Sequence, residues 1–434
     1  MSVPFSRRHL SAAGLLNEAR GVFAAIAEGP GREIALVDHL MSGLALFGLK
    51  YPSLLQFEHD RREETTRANL KALYGVERAP SDTRFRERLD EVDPRELRPV
   101  YQALFAQLQR GKGLEGFDYL DGHYLLSLDG TGYFSSQKVH CAQCAQKHHN
   151  NGTTTYYHQM LGAVLVHPDH REVFALAPEP ILKPDGAQKN DCERNAAKRL
   201  LTDLRREHPH LKLIVVEDAL ASNAPHIRHL QALELRFILG AKQSDHQFLF
   251  AWVDATEQTA EASFSDAHGC RHRFRYLNGV PLNDANFDLE VNFLEYWETT
   301  PEGQVTHFSW VTDLPIHEAN LMLLMRGARA RWKIENETFN TLKNQGYHFE
   351  HNFGHGNHHL STVLMHLMML AFLIDQIQQR SCRLFQAALA AAKSKTRLWR
   401  KLRGLFDSFR IPSWEVLFGA LIHPPAIALS FDTS

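Results

Sequence analysis

Apolar residues recur at intervals of three and four through the first part of the chain, in LVDHLMSGLALFGLKYPSLLQF (36–57) and RELRPVYQALFAQL (95–108), which predicts helices. Between them, APSDTRFRERLDEV (79–92) opens with Pro80, Ser81 and Asp82 as a helix start and continues with Arg84, Arg86 and Arg88. Arginines so placed suit contact with a nucleic-acid backbone, and a solvated helix face is the more ordinary reading. The period then changes. YLLSLDGTGYF (124–134), TTTYYHQMLGAVLVHP (153–168) and EVFALAPEPIL (172–182) are β-branched, aromatic or apolar runs separated by turn residues, and predict three successive strands. DCERNAAKRLLTDLRRE (191–207) predicts a helix and KLIVVEDAL (212–220) a short, continuously apolar strand covered on both faces. NAPHIRHLQAL (223–233) predicts a helix and RFILGAK (236–242) a strand. Three strands, then helix, strand, helix, strand describes a mixed sheet in which an antiparallel meander is extended by parallel strands through helical crossovers.

From 243 to 316 the strand candidates are HQFLFAWVDAT, CRHRFRYLNG and VTHFSWVTDLP, which read as a β-rich insertion. RARWKIENETFNTLK (329–343) returns to a helical period. At about 100° per residue from Trp332, Glu335 falls within the stripe that holds Phe339 and Leu342, while Glu337 falls on the far side. A carboxylate in an apolar stripe needs a cation, a metal or hydrogen bonds. The plain alternative is a structural pair between Arg331 and Glu335, one helical turn apart. LSTVLMHLMMLAFLI (360–374) is shorter than the roughly 20 residues of a bilayer span and holds His366, so it reads as a buried core helix. AAAKSKTRLWRKLRGLF (390–406) reads as one basic helix. The resulting organisation is a helical region at 1–115 with possible DNA contacts, a first core segment at 116–242, the insertion at 243–316, the Glu335 helix and remaining core at 317–380, and a basic helical region at 381–434.

Composition narrows this little. A chain of 434 residues with 44% hydrophobic and 23% charged residues is an ordinary globular protein, and its formal net charge of −2 confines any basic surface to local tracks near 84–88, 326–333 and 393–403. Five irregularly spaced cysteines, with no apolar segment near Met1, suggest a reducing cytoplasm without a disulfide framework.

Three acids stand out by position. Asp129 is read as ending the first strand and Asp218 the fourth, and the carboxyl ends of neighbouring strands are where a site gathers in an open α/β sheet. Glu335 would join them from the later helix. Each has a bland reading: Asp129 as a turn residue in DGTG, Asp218 as a cap for the next helix, Glu335 as a partner of Arg331. Together they are hard oxygen donors suited to two Mg²⁺ or Mn²⁺ ions. LDGTGYFSS, VVEDALASN and WVTDLP followed by RGARARWKIENETFNTLK resemble the first-Asp, second-Asp and Glu-helix motifs of bacterial insertion-sequence transposases of the DDE type, over residues 120–375.

That resemblance implies a ribonuclease-H-like core, metal-dependent cleavage at transposon ends and strand transfer into target DNA. It also implies double-stranded DNA as partner, a homodimer in the DNA complex, no membrane, and DNA contacts by Arg329, Arg331, Lys333 and Lys343. The family signature places Ala328 where a Tyr is expected and Leu342 where the Lys is expected, one place before Lys343. In some relatives a Trp of the insertion supports a flipped base, for which Trp252, Trp297 and Trp310 are candidates. An inactive DNA-binding remnant and a nuclease without strand transfer are the competing readings. Separately, Cys141-x-x-Cys144 followed by His148 and His149 offers half of a zinc site, and without a second matching pair it is read as a loop with two ordinary thiols.

Overall fold

The protein is described from a computed structural model covering residues 8–29, 33–183 and 191–425. Six helices lead the chain: α1 (Ala12–Phe23), α2 (Leu36–Gly48), α3 (Leu54–Asp60), α4 (Glu64–Tyr74), α5 (Asp82–Asp90) and α6 (Arg98–Arg110). Ser11 and Ser53 cap α1 and α3 by accepting backbone N–H bonds, as serine at that position does. Next come β1 (Tyr124–Ser136), β2 (Ala145–His148), β3 (Thr154–Val166), β4 (Phe174–Ala175), β5 (Glu179–Ile181), α7 (Glu193–Glu207), β6 (Leu213–Glu217), α8 (Ala224–Ala232) and β7 (Arg236–Gly240). The run 172–182, expected as one strand, is broken into β4 and β5, with Pro178 between them.

β3 pairs antiparallel with β1 on one side and with β4 and β5 on the other; β1 pairs parallel with β6, and β6 parallel with β7. An antiparallel meander joined through its first strand to two parallel strands is the ribonuclease-H-like arrangement. Helices α7 and α8 make the crossovers, and their apolar stripes (Leu200, Leu201 and Leu204; Ile227 and Leu230) are buried.

The sheet continues. After α9 (Gln247–Ala255) come β8 (Ala260–Ser265), β9 (Arg271–Asn283), β10 (Asn286–Thr299) and β11 (Val305–Thr312), and β11 pairs with β7, so the insertion extends the core sheet directly. HQFLFAWVDAT, expected as a strand, is α9. Leu249 and Phe250 lie four and three residues before Val253, all three are buried, and the Phe250 ring meets Phe293 of β10 at 5.1 Å. The long hairpin strand β10 was not anticipated.

The chain ends in α10 (Leu321–Arg329), α11 (Asn340–Asn344), α12 (Leu360–Ser381), α13 (Arg383–Ala392), α14 (Lys395–Ser408) and α15 (Trp414–Ile422). The expected single basic helix is two, because Lys393 is left-handed (φ 65°) and Ser394 caps a new start at α14. Positions 426–434 of that region lie outside the described residues. Helix α12 is longer than expected, 22 residues, long and apolar enough to cross a membrane, yet its most apolar 18-residue window is wholly buried inside the fold. α1, α2, α5 and α6 pack around it. Lys50, just after α2, is buried and bonds Asp375 of α12 at 2.7 Å; Tyr347 donates to the same carboxylate at 2.5 Å, and Trp399 of α14 lies under the ammonium at 4.2 Å. One buried ion pair thereby joins the leading helices, the central helix and the C-terminal helices.

Candidate carboxylate site

The pairing of β1 with β6 runs from Tyr124 opposite Leu213 to Ser127 opposite Val216, a constant offset of 89. Continued two residues, that offset sets Asp129 opposite Asp218. Both line an open cleft at the carboxyl end of β6, together with Glu193, Glu217, Asn223 and His226. The DGTG turn signal predicts that Asp129 ends its strand, and it does not. β1 outruns β6 and stays paired with β3 to Ser136, with an irregularity between Gly132 and Phe134. Gly130 makes room for α7: a side chain there would meet the Glu193 carboxylate, 2.1 Å from the added carbon.

Glu335 arrives on a helix that is not uniformly α. After α10 the backbone tightens into a 3₁₀ turn, Ala330–Trp332, then widens into a π turn, Ile334–Phe339, closed by the Asn340 N–H donating to the Glu335 carbonyl five residues back. The phase worked out at 100° per residue therefore fails. Trp332 is 55% exposed and does not mark the apolar stripe, which is formed by Ile334, Thr338, Phe339, Thr341 and Leu342. The Glu335 side chain is half-exposed (49%), where burial was expected, and Glu337 is the more enclosed of the two. Orientation toward the cleft is another matter. Ser127, on the same face of β1 as Asp129, donates to the Arg331 carbonyl at 3.0 Å, and the π turn packs on Gly162, the partner of Asp129 on β3. A carbon added at Gly162 would lie 3.2 Å from the Phe339 ring and 3.5 Å from Ile334. Arg331 bonds Glu335 at 2.9 Å and stands 3.8 Å from Asp129.

Burial, first, and the negative charge of Glu335, second, push the Asp129 carboxyl up to about 6; Arg331 and the N–H of Gly130 oppose this, and Glu193 adds to it. Glu193 is itself raised by burial and by the charges of Asp218 and Glu217. Asp218 accepts the Leu220 N–H at 2.9 Å, a turn bond; the cap of α8 is Asn223, not Asp218. Glu217 pairs with His226 at 2.6 Å. Asp129, Asp218 and Glu193 thus line one cleft, and Glu335 is linked to Asp129 through the Arg331 they share. Among the described residues, the set of metal-type donors gathered within 4.8 Å of one another is a different one, Cys141, Cys144, His158 and His355.

No known protein family and no curated protein matches the chain. Among solved structures it is similar to the cryo-EM structure of a piggyBac transposase synaptic complex with hairpin DNA. Identity is 9%, coverage is 97% of this chain and 82% of that chain, and the TM-score is 0.40. A likeness that faint carries no weight beside the strand order and directions themselves.

The four expected DNA contacts are each occupied within the chain. Arg331 serves the acids, Arg329 pairs with Glu298 at 2.8 Å, Lys333 donates to the His170 carbonyl at 2.6 Å, and Lys343 pairs with Glu350 at 2.8 Å. Of the three tryptophans, Trp310 is buried (6% exposed), Trp297 lies between Arg273 and the His307 ring, and Trp252 is exposed on α9. Glu193 was missed at the sequence level because a first-turn glutamate is ordinary helix chemistry. The signal available was its place at the start of the helix preceding the Asp218 strand.

Proposed function

We propose that the protein is a DNA transposase of the three-carboxylate type, cutting at the ends of a mobile segment and joining the freed 3′-hydroxyl to target DNA. The constant offset of 89 between β1 and β6, which if continued two residues past the last pair would set Asp129 opposite Asp218, is the observation that supports this reading. Asp129, Asp218 and Glu335 would hold two Mg²⁺ or Mn²⁺ ions. The donor set fits: it is all carboxylate oxygen, and an Asp129 carboxyl kept protonated to about pH 6 by burial and like charge is relieved by a nearby cation. Ions held by these three carboxylates would supply Lewis-acid activation of an attacking oxygen and charge stabilisation of a leaving one.

The chain's own residues do the positioning. Gly162 lets the π turn approach β3, which brings Glu335 over the strand that carries Asp129. Arg331 balances Asp129 and Glu335 in the metal-free protein, and once cations take the acids its guanidinium is free for a DNA phosphate. Arg329, Lys333 and Lys343 would exchange their internal partners for phosphates, and α14 adds Arg397, Arg400 and Lys401 to the basic surface. A pair of copies holding two DNA ends in the cytoplasm completes the proposal.

The test is Mn²⁺-dependent nicking and strand joining on DNA that carries the element's end sequences. The wild type is compared with Asp129→Ala, Asp218→Ala, Glu335→Ala and, as control, Glu337→Ala. Loss in the first three with retention in the control is expected. Nicking without joining would reduce the proposal to a nuclease, and DNA binding without any cleavage by the wild type would overturn catalysis.

A further inference from the structure

Four soft donors meet away from the carboxylate cleft. Cys141 and Cys144 lie on the turn between β1 and β2, His158 is on β3, and His355 is on the loop before α12. Cys144, His158 and His355 are buried at 0%, 1% and 7% exposure, and Cys141 is partly exposed. We propose that these four side chains form a tetrahedral site for a structural zinc ion.

Distances decide in favour of a metal. With Zn–S of about 2.3 Å and Zn–N of about 2.0–2.1 Å, a regular tetrahedron has S···S edges of about 3.8 Å and S···N edges of about 3.5 Å. The observed Sγ···Sγ distance is 3.8 Å. Cys141 Sγ to His158 Nε2 is 3.6 Å, Cys144 Sγ to His158 Nε2 is 3.2 Å, and Cys144 Sγ to His355 Nε2 is 3.4 Å. A disulfide needs sulfurs about 2.05 Å apart, so the pair is not bonded to itself. Both histidines present the same nitrogen, Nε2, to the centre. The opposite nitrogen of His158 faces the Tyr133 hydroxyl at 3.5 Å, which in turn meets Thr362 of α12 at 3.2 Å, the kind of outer partner that orients a ligating imidazole. The His355 ring stacks on Phe134 at 4.2 Å, and its Nδ1 is buried without a partner.

The histidines next to the cysteine pair are not the ligands. His148 bonds Thr154 and His149 bonds Thr155. Four protein ligands leave no open position, so the site is structural. Its consequence is a cross-link: the far end of the Asp129 strand and β3 are tied to the loop that leads into α12. The same loop is also held by Asp90 of α5, whose carboxylate accepts the N–H groups of Asn357, His358, His359 and Leu360 at 2.9, 3.0, 2.9 and 2.9 Å.

The experiment is metal analysis of the full chain, purified with reduced thiols and titrated with zinc, followed by Co²⁺ substitution. One zinc per chain is expected, and the cobalt form should show the visible bands of a tetrahedral ion with a thiolate charge-transfer band. Cys141→Ser and His355→Ala, checked for fold by circular dichroism, should abolish that charge-transfer band or displace it. Asp218→Ala should retain the zinc, which separates this site from the carboxylate cleft. Tyr133→Phe should keep the stoichiometry and weaken affinity by roughly 10-fold. Failure of the reduced wild type to take up zinc would overturn the proposal. So would uptake unaltered by both ligand variants, or a Cys141–Cys144 disulfide in the protein as isolated.

Discussion

Asp129→Asn should stabilise the metal-free protein, and the gain should depend on pH. The carboxyl sits at about 6 in the fold against 3.8 ordinarily, because burial and Glu335 disfavour its charge. The sign follows from linkage. Below about pH 3.8 the group is protonated in both folded and unfolded chains and contributes nothing. As pH rises to about 6 the unfolded chain ionises first, so folding loses stability, and above that the loss is complete. From 3.8 to about 6, at 1.36 kcal/mol per pH unit, the full loss is about 3 kcal/mol. Solvent reaches the side chain, which is 26% exposed, so roughly half of that, about 1.5 kcal/mol, is the working figure. At about 2.1 cal/mol/K per residue, a chain of 434 residues unfolds with an entropy of about 0.9 kcal/mol/K, and the expected rise in melting temperature is about 1–2 °C. Asparagine keeps an oxygen for the Gly130 N–H that Asp129 now accepts at 3.0 Å, so little is lost in exchange. Scanning calorimetry from pH 4 to 8 without Mg²⁺ or Mn²⁺ measures it: the two proteins should coincide near pH 4 and separate by pH 7. Adding Mg²⁺ should then raise the wild type more than the variant. An asparagine variant that melts lower at pH 7.5, or a difference that ignores pH, would refute the account of Asp129 as a strained carboxylate.

Asp375→Ala should cost about 3–5 kcal/mol by urea unfolding, because it strands the buried Lys50 ammonium that bonds it at 2.7 Å. Gly162→Val should displace the π turn, since even a single added carbon lies 3.2 Å from the Phe339 ring; about 1–3 kcal/mol of stability and most nicking activity should go together, the latter read on the end-sequence DNA. Asp90→Ala should destabilise by about 1–2 kcal/mol, as the start of α12 loses its acceptor, and should increase amide exchange at 357–360. Arg331→Ala should move the Asp129 titration upward, detectable as a shifted carboxyl resonance in a pH series, because the cation 3.8 Å away is gone.

What the sequence made legible was whatever depends on local period and on strand ends. β1, β3, α7, β6, α8 and β7 follow their apolar patterns, and the spacing between Asp129 and Asp218 acquired meaning once the strands proved to be parallel neighbours. Errors arose where tertiary contact overrides local rules. A run as apolar as 246–256 satisfies strand and helix equally, and only β9 beneath it settles the helix. The phase of Glu335 was computed for a uniform helix, and no propensity signals the 3₁₀-to-π change from Ala330 to Phe339 that redirects it. Glu335 was selected on two grounds, a burial argument that the fold does not honour and its place four residues after Arg331 in the resembled signature, and the same Arg331 links it to Asp129.

The Cys/His cluster makes the same point in reverse. Cys-x-x-Cys is visible in any reading because its ligands are local, but His355 comes 197 residues after His158, and no spacing rule reaches that far. A site whose ligands come from a turn, a strand and a distant loop can be found only after the sheet and α12 have been assembled. For that reason the zinc proposed there reports on the assembled fold rather than on the local turn. Zinc affinity in a fragment that ends with α11 at Asn344, before the loop that carries His355, should therefore collapse to that of two thiolates and one imidazole, whereas a local knuckle would bind equally well in both.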